Sequence, residues 1–285
     1  MRPAQRLAGL VVGIVAPLLA AAQAPTVPPQ ATSVDGATTH LYKSIGPVEL
    51  RLHVFTPRNH SASDGRAAVV FFFGGAWRTG NITQFVQQSR HLAERGMVSI
   101  VADYRVRGRH QTTPFEAIAD AKSAIRWVRG HARTLGVDPQ RIAAGGGSAG
   151  GHIALTAAVL KSFDEPSEDR SISSKPNALV LFNPVVDTAN AEAFAGRGLE
   201  GSPLHNLTAD LPPTLIQHGR ADTLVPYSTV EQCCAKAKSL GATCELVGYD
   251  EAGHGFFNTP GPRWHEPTLA EADRFLTARG YLPKS

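Results

Sequence analysis

The sequence predicts an α/β protein, with a mostly parallel central sheet and helices on both of its faces. Apolar runs with the length of strands alternate along the chain with segments of helical periodicity, an order that builds parallel sheets. Two of these runs, AAVVFFF at 67–73 and MVSIVADY at 97–104, are largely apolar without alternation, as in strands buried on both faces. The chain has 285 residues, which is enough for one domain with a sizeable core.

Each further element is predicted from a local pattern. The alternation in VELRLHVF at 48–55 indicates a half-buried antiparallel strand beside LYKSI. Pro114 suits the first turn of a helix that we expect over 114–135. Residues 187–212 are irregular and offer the only room for a cap, which we expect to be small. The other predicted strands are 142–144, 177–182, 214–218 and 244–249, and the other predicted helices are 83–95, 149–160, 226–240 and 264–279.

The first 24 residues have the pattern of a secretory signal peptide. Arg2 and Arg6 precede an apolar stretch that is too short to span a bilayer, and Ala22-Gln23-Ala24 matches a cleavage site. The alternative is an uncleaved anchor. We therefore expect a secreted or periplasmic protein without stable membrane association, a disordered lead-in over 25–38 and one catalytic domain over 39–285.

Charge gives no reason to expect a nucleic-acid partner. The net charge is +4, and it falls to +2 when Arg2 and Arg6 leave with the leader. A basic cluster exists in the loop after the strand at 97–104, formed by Arg105, Arg107, Arg109 and His110. We interpret it as a solvated loop, with binding of an anionic or sugar substrate as the alternative.

The residues from Ile142 to Leu160 carry two overlapping motifs. Ser148 lies in Gly146-Gly147-Ser148-Ala149-Gly150, the G-x-S-x-G pattern in which a strand turns sharply into a helix and exposes one hydroxyl. The same stretch contains G-x-G-x-x-G, a dinucleotide-binding pattern. That second interpretation requires an acidic residue at the end of the next strand, but a polar loop, FDEPSEDRSISS, follows instead.

An acid and a histidine follow Ser148 in the order that the first motif requires. Asp222 lies in the loop after the strand at 214–218, and His254 lies in a glycine-flanked loop after the strand at 244–249. This order, Ser then Asp then His, is that of the α/β-hydrolases. We predict a catalytic triad in which His254 is the base and Asp222 orients it. Asp187 and Asp250 are the rival acids, His218 and His265 are the poorer histidines, and we expect His152 to be a packing or capping residue.

The segments GGGSAGGH, HGRADTLVP and GHGFFN, with FFFGGAWRTG upstream, resemble those of secreted α/β-hydrolase esterases. The group is that of the acetyl esterases and feruloyl esterases, related to the hormone-sensitive-lipase-like carboxylesterases, and the resemblance covers residues 45–282. It implies ester hydrolysis without a metal or an organic cofactor, often on acylated plant polysaccharides. A small-molecule or carbohydrate ester is therefore the expected substrate.

The backbone N–H groups of Ala149, Gly75 and Ala76 are the predicted oxyanion donors. The family pattern His-Gly-Gly-Gly is replaced here by Phe-Gly-Gly-Ala at 73–76. We expect the backbone donors to persist, the hydrogen bonds of the family's histidine to be lost, and the alanine methyl to narrow the acyl side.

Three aromatic residues, Trp77, Tyr104 and Phe256, are predicted to contact substrate, with core packing as the alternative. Cys233, Cys234 and Cys244 lie close together in the sequence, and export makes a disulfide possible. We predict the pair Cys234 and Cys244, with Cys233 free.

The predicted function is hydrolysis of short-chain esters, with acetyl groups on carbohydrates as the favoured substrates. A small serine peptidase on the same fold is one alternative, and a hydrolase-like protein that binds without catalysis is another. The sequence does not determine the oligomeric state.

Overall fold

An eight-stranded sheet forms the centre of the protein in a computed structural model that describes residues 27–284. The predicted signal peptide lies outside the described residues. The strands occur in the order β1-β2-β4-β3-β5-β6-β7-β8, and all neighbours from β4 to β8 are parallel. The strands are β1 Thr38–Ile45, β2 Val48–Phe55, β3 Arg66–Phe72, β4 Val98–Ala102, β5 Val137–Gly147, β6 Ala178–Phe182, β7 Thr214–Gly219 and β8 Cys244–Tyr249.

Helices connect the parallel strands and cover the sheet, so the predicted fold class is confirmed. They are α1 Val86–Glu94, α2 Arg107–His110, α3 Pro114–Gly130, α4 Ala149–Val159, α5 Gly198–Gly201, α6 Pro203–Asn206, α7 Tyr227–Ser239 and α8 His265–Ala278. The start of α3 follows from local chemistry, because the Thr113 side chain accepts the N–H of Phe115 and Glu116 reaches back to the N–H of Thr113. The helix ends at Gly130 and not near Leu135 as predicted.

The core lies on both faces of the central strands. Residues 67–72 of β3 and all of β4 and β6 are buried, as their continuous apolar sequences predict. Helix α4 crosses close to β3 because Gly150 has no side chain: a Cβ there would lie 2.1 Å from the carbonyl oxygen of Phe72. This close approach fixes the start of α4, and therefore the position of Ser148, against the sheet.

Two irregular segments lie over this core. Residues 27–37 form no helix or strand, yet Gln30 donates to the carbonyl of Gly80 and accepts the N–H of Ile82. This part of the predicted disordered lead-in is therefore held against the folded domain, at Gly80 and Ile82. Residues 187–212 contain only the short elements α5, α6 and a 3₁₀ turn at Glu192–Phe194, so the segment is no larger than the small cap that was expected. Within residues 27–284, no helix has the length and apolar character needed to cross a membrane.

A disulfide joins helix α7 to the edge strand β8. It links Cys234 and Cys244, the pair that the sequence predicted, with their Cα atoms 5.5 Å apart. Cys233 is free and buried, and burial raises the pKa of its thiol to about 12. Strand β8 leads directly into the loop that carries His254.

Candidate active site

Ser148 occupies the sharp turn between β5 and α4. Its backbone has φ +53° and ψ −117°, a conformation that is strained for a residue with a Cβ. Its N–H donates to the carbonyl of Phe182 on the neighbouring strand, at 3.0 Å. The turn is therefore held by the sheet and presents the serine side chain at the carboxyl edge of the strands.

The structure brings the three predicted triad residues together. His254 Nδ1 lies 2.7 Å from Asp222 Oδ2, and His254 Nε2 lies 2.9 Å from Ser148 Oγ. With its proton on Nδ1, the imidazole donates to Asp222 and leaves Nε2 free to accept the serine hydroxyl proton. The geometry is that of a nucleophile, a base and an orienting carboxylate in series.

Hydrogen bonds other than the one to His254 also hold the Asp222 carboxylate in place. Its Oδ1 accepts the N–H groups of Leu224 and Val225, each at 2.9 Å, and its side chain is fully buried. His218 also lies beside it, with Nε2 at 2.8 Å from the carbonyl of Val225 and 3.3 Å from Asp222 Oδ2. Burial lowers the pKa of His218, and its Nε2–H donates to the carbonyl of Val225, whose N–H donates to Asp222.

The two rival acids lie away from the triad. Asp187 is exposed and accepts from Ala189, while Asp250 is exposed and pairs with Arg220. His152 is buried with Nε2 at 2.8 Å from the carbonyl of Gly201, in the packing role that the sequence predicted. Burial lowers the pKa of His152 to about 4, so the ring is neutral.

Asn183 belongs to the site although the sequence analysis gave it no role. It follows β6, is completely buried, and accepts the N–H of Gly255 at 3.1 Å through Oδ1. Its Nδ2 lies 3.5 Å from His254 Nε2. Asn183 therefore ties the histidine loop to the central sheet. The sequence signal was its place directly after a buried strand, at the same edge as the other site residues.

The predicted oxyanion loop has an unusual backbone. Gly75, Ala76 and Trp77 all have positive φ, at 129°, 53° and 56°, and the last two are strained for residues with side chains. Among the described residues, the N–H groups of Gly75, Ala76 and Ala149 have no backbone or side-chain acceptor. The loop also lies against the nucleophile turn, because a Cβ on Gly74 would be 3.3 Å from the Cβ of Ser148. Two of these donors, those of Gly75 and Ala76, belong to residues that line the cleft with Ser148, and the third, that of Ala149, directly follows Ser148.

Two residues outside the oxyanion loop, Gln84 and Tyr104, form hydrogen bonds with its backbone. The N–H of Gly74 donates to Gln84 Oε1 at 2.6 Å, and the carbonyl of Phe73 accepts the Tyr104 hydroxyl at 2.7 Å. The rings of Phe73 and Tyr104 stack with centroids 4.1 Å apart. The loop is therefore braced by Gln84 and Tyr104, although the Phe73 side chain itself makes no hydrogen bond. Gln84 had no sequence signal, since it is a glutamine in a polar helical segment.

Two of the three aromatic residues predicted to contact substrate do not reach the cleft. Tyr104 is completely buried under the oxyanion loop, and Phe256 is buried against Tyr249 and Trp264. Phe257 lies at the cleft in place of Phe256, because the 3₁₀ turn that follows His254 directs the second phenylalanine inward. Trp77 does line the cleft, with its ring edge-on to His152 and Phe194.

The cleft over Ser148 has a volume of about 610 Å³, which is within the usual range of small-molecule sites. Its walls are mainly apolar and backbone surfaces. The lining consists of Gly74, Gly75, Ala76, Trp77, Arg78, Thr79, Gln84, Ser148, Asn183, Val185, Leu224, Val225, His254, Gly255, Phe257 and Asn258. Within residues 27–284, no group of three or more His, Cys, Asp or Glu side chains is arranged to hold a metal ion.

The basic cluster after β4 is not the solvated loop that we expected. Arg105 is buried and makes a bidentate pair with Asp120, with both contacts at 2.8 Å. Arg109 donates to the carbonyl of Gly80 and lies over the Phe73 ring. Of the four residues in the cluster, only Arg107 is exposed. The cluster is largely structural because Asp120, on the adjacent helix α3, supplies the counter-charge.

Two family models match the chain, one over each half. The BD-FAE model matches residues 52–196, and the prolyl oligopeptidase family model matches residues 187–276. Between them they contain Ser148, Asp222 and His254.

The fold is closely similar to that of a solved esterase. The apo form of Thermogutta terrifontis esterase 2 aligns with a TM-score of 0.86 and 43% identity, over 88% of this chain and 97% of that one. The same esterase has been solved phosphorylated by paraoxon and with butyrate bound.

Curated relatives are ester hydrolases as well. The probable carboxylic ester hydrolase LipM of Mycobacterium tuberculosis is 35% identical over 195 residues, 57% of this chain and 43% of its own length. An acetylxylan esterase of Xylanibacter ruminicola is 26% identical over 239 residues, 78% of this chain and 47% of its own length. The chain thus spans about half the length of the curated relatives it matches.

The protein falls in the class of carboxylic ester hydrolases with an α/β-hydrolase fold, as its sheet, its cleft and these similarities indicate. The resemblance to α/β-hydrolase esterases is confirmed at this level. The BD-FAE family model covers just over half of the residues of this chain, and a solved esterase is similar to most of the chain. The chain therefore belongs to the BD-FAE family.

Proposed function

We propose that this protein is a serine esterase that hydrolyses short-chain carboxylic esters, with acetyl esters of carbohydrates as its natural substrates. The observation that carries the proposal is the series of contacts from Asp222 through His254 to Ser148, in a cleft beside three unpaired backbone donors. A serine hydroxyl is a weak nucleophile until a base removes its proton, and this geometry supplies that base.

In the first half of the reaction, Ser148 Oγ attacks the carbonyl carbon of the ester and its proton passes to His254 Nε2. The imidazolium that forms is stabilised by Asp222, which holds the Nδ1 proton. As the tetrahedral intermediate collapses, His254 returns the proton to the alcohol oxygen and the alcohol leaves. Ser148 then carries the acyl group.

In the second half, water replaces the alcohol. His254 takes a proton from the water, whose oxygen attacks the acyl carbon, and then protonates Ser148 Oγ as the acid is released. In both halves the carbonyl oxygen becomes an anion. The N–H groups of Gly75, Ala76 and Ala149 are the donors that would stabilise it, and each such donor is worth about 3–4 kcal/mol of transition-state stabilisation.

Two features support a short acyl group. The Ala76 side chain is exposed at the cleft, where its methyl narrows the space beside the donors. Residues 187–212 contain only short helical elements, which do not form a long lid. The similarity to an esterase solved with butyrate bound also supports a short acyl group, and the similarity to an acetylxylan esterase supports acetyl groups on carbohydrates.

The test is hydrolysis of nitrophenyl acetate, butyrate and octanoate, and of an amino-acid anilide, by the wild type and Ser148→Ala. We expect the acetate to be hydrolysed best and the variant to lose about a million-fold in kcat, as other serine triads do. Paraoxon should add a diethylphosphoryl group to the wild type, and peptide mass spectrometry should locate that group on Ser148. Wild-type rates in Ser148→Ala would disprove the nucleophile assignment.

A small serine peptidase is the second candidate function. The match of residues 187–276 to the prolyl oligopeptidase family favours it, because that segment supplies Asp222 and His254. The anilide in the same experiment distinguishes the two, since a preference for it over nitrophenyl acetate would put the peptidase first.

We also propose that the protein is exported, with cleavage after Ala24. The basic and apolar pattern of residues 1–24 and the disulfide in the folded domain support export to an oxidising compartment. Sequencing the N-terminus of protein recovered from the periplasm or the medium tests this proposal, and an N-terminus at Met1 would refute it.

A further inference from the structure

We propose that the cleft has a subsite for a carboxylate carried by the ester substrate, and that Arg78 binds it. The proposal rests on the esterase function proposed above and adds a substrate class to it. Arg78 lines the cleft directly after Trp77 in the oxyanion loop, and its side chain is exposed. A guanidinium offers paired donors that match the two oxygens of a carboxylate.

Among the residues that the structure describes, no carboxylate pairs with the charge of Arg78. Twelve of the arginines in residues 27–284 form ion pairs with carboxylates of the protein. Arg78 is not among them, and no aspartate or glutamate lines the cleft. Apart from the imidazole of His254, Arg78 is the only ionisable group in that lining. The cleft is thus cationic at one place and apolar or neutral elsewhere.

The backbone of Arg78 is held in place from two sides. Its N–H donates to the carbonyl of Gly75 at 3.0 Å, and its own carbonyl accepts the N–H of Gly108 at 2.9 Å. The two preceding residues, Ala76 and Trp77, have strained left-handed backbones, a form of strain that is concentrated at functional sites. The side chain therefore starts from a fixed point beside the oxyanion donors.

The cleft also offers an apolar surface. Leu224 is 73% exposed, which is the highest value among the large hydrophobic residues of the described chain, and it lines the cleft. Its N–H is bonded to the triad carboxylate of Asp222, so it too is held in place. A substrate with a short apolar part and a carboxylate matches this arrangement.

The carboxylate can come from the acyl side or from the alcohol side of the ester, and two substrate pairs separate these sources. Monomethyl succinate and methyl succinamate differ in charge on the acyl side. 4-Acetoxybenzoate and 4-acetoxybenzamide differ in charge on the alcohol side. In each pair the neutral amide has nearly the shape of the acid, so the ratio of their kcat/KM values isolates the charge.

The variants are Arg78→Gln and the matched control Arg107→Gln. Arg107 is also exposed and unpaired among the described residues, and its N–H bonds to the carbonyl of Trp77, but its side chain does not line the cleft. Both variants remove one positive charge from neighbouring positions. A general change in the electrostatic field of the protein would alter the acid-to-amide ratio of both variants alike. Loss of a direct contact with the carboxylate would alter the ratio only in Arg78→Gln.

We expect the acid-to-amide ratio of the wild type to fall about fivefold in Arg78→Gln for at least one pair, the size of one exposed charge-assisted contact. The lower ratio should result from a higher KM for the acid substrate, with kcat unchanged. A contact remote from the reacting carbonyl stabilises the bound substrate and the transition state equally. Arg107→Gln should keep the wild-type ratio, and 0.5 M salt should bring the wild type toward Arg78→Gln.

An unchanged ratio in Arg78→Gln for both pairs would overturn the proposal, and so would an equal fall in Arg107→Gln. Binding of 4-acetoxybenzoate and its amide to Ser148→Ala, measured by calorimetry, gives the same comparison without catalysis. If the neutral esters are not hydrolysed in a Ser148-dependent way, the esterase function itself fails, and the calorimetric comparison still decides whether Arg78 prefers the carboxylate.

Discussion

Replacing Gln84 with methionine should lower kcat on nitrophenyl acetate by about tenfold to a hundredfold with little change in KM. Gln84 Oε1 is the acceptor for the N–H of Gly74, at 2.6 Å, directly before the predicted oxyanion donor Gly75. Methionine keeps the length of the side chain and removes the acceptor. Because oxyanion stabilisation exists only in the transition state, its weakening appears in kcat.

The magnitude lies between two limits. An unpaired buried N–H costs about 1–3 kcal/mol, and that cost favours movement of Gly74 toward another acceptor. Complete loss of one oxyanion donor costs about 2.7–4 kcal/mol. The second brace, from the Tyr104 hydroxyl to the Phe73 carbonyl, remains and limits the movement. About 1.4–2.7 kcal/mol, a tenfold to hundredfold effect, is therefore expected.

Steady-state kinetics and thermal unfolding should be measured together on Gln84→Met and on the control Gln87→Met. Gln87 is exposed on α1, about one turn further along. The control should match the wild type in both measurements. If Gln84→Met retained a kcat within twofold of the wild type while its melting temperature fell, Gln84 would stabilise the fold without positioning the donors.

Three further outcomes are expected. Asp222→Asn should fold normally by circular dichroism yet lose about 10⁴-fold in kcat, because an amide no longer favours the Nδ1 proton on His254; a loss below tenfold would contradict the triad. Burial raises the pKa of Asp103 to about 6, so its ionisation destabilises the fold progressively as pH rises from about 4 through 6. Asp103→Asn should therefore increase the free energy of unfolding by up to about 3 kcal/mol at pH 8 and hardly at pH 4, in urea titrations at both pH values; an equal effect at both would exclude titration as the cause. Cys234→Ser should cost about 2–3 kcal/mol of stability, since the disulfide closes a short loop, and an unchanged urea midpoint would show that the bond contributes little.

The fold was predictable because its strands have distinct sequences. Continuous apolar runs gave β3, β4 and β6, and glycine and polar loops marked their ends. The order of Ser148, Asp222 and His254 was also sufficient to bring the three residues together, since each follows a strand whose carboxyl end lies at the same edge of the sheet. A single sequence was therefore enough to predict the strands and the positions of the residues that follow them.

What the sequence did not predict depends on side-chain partners from distant segments. Gln84 and Tyr104 brace the oxyanion loop, and Asn183 ties down the histidine loop, yet each is an ordinary polar residue in its local context. The choice between Phe256 and Phe257 at the cleft depended on the 3₁₀ turn at that point. The bidentate pair of Arg105 required Asp120, which lies 15 residues further on.

Backbone strain is concentrated at the cleft, and this restricts how the protein can be made more stable. Within residues 27–284, nine residues other than glycine have positive φ, and four of them, Ala76, Trp77, Ser148 and Asn183, line the cleft. Replacement by glycine relieves such strain, but at these four positions it would remove the nucleophile, free the donor loop or release the histidine loop. Thermostability should therefore be sought at the other five positions, which are Asn59, Gln111, Phe163, Ala195 and Glu251. Directed evolution for activity and directed evolution for heat resistance would then draw on separate parts of this chain.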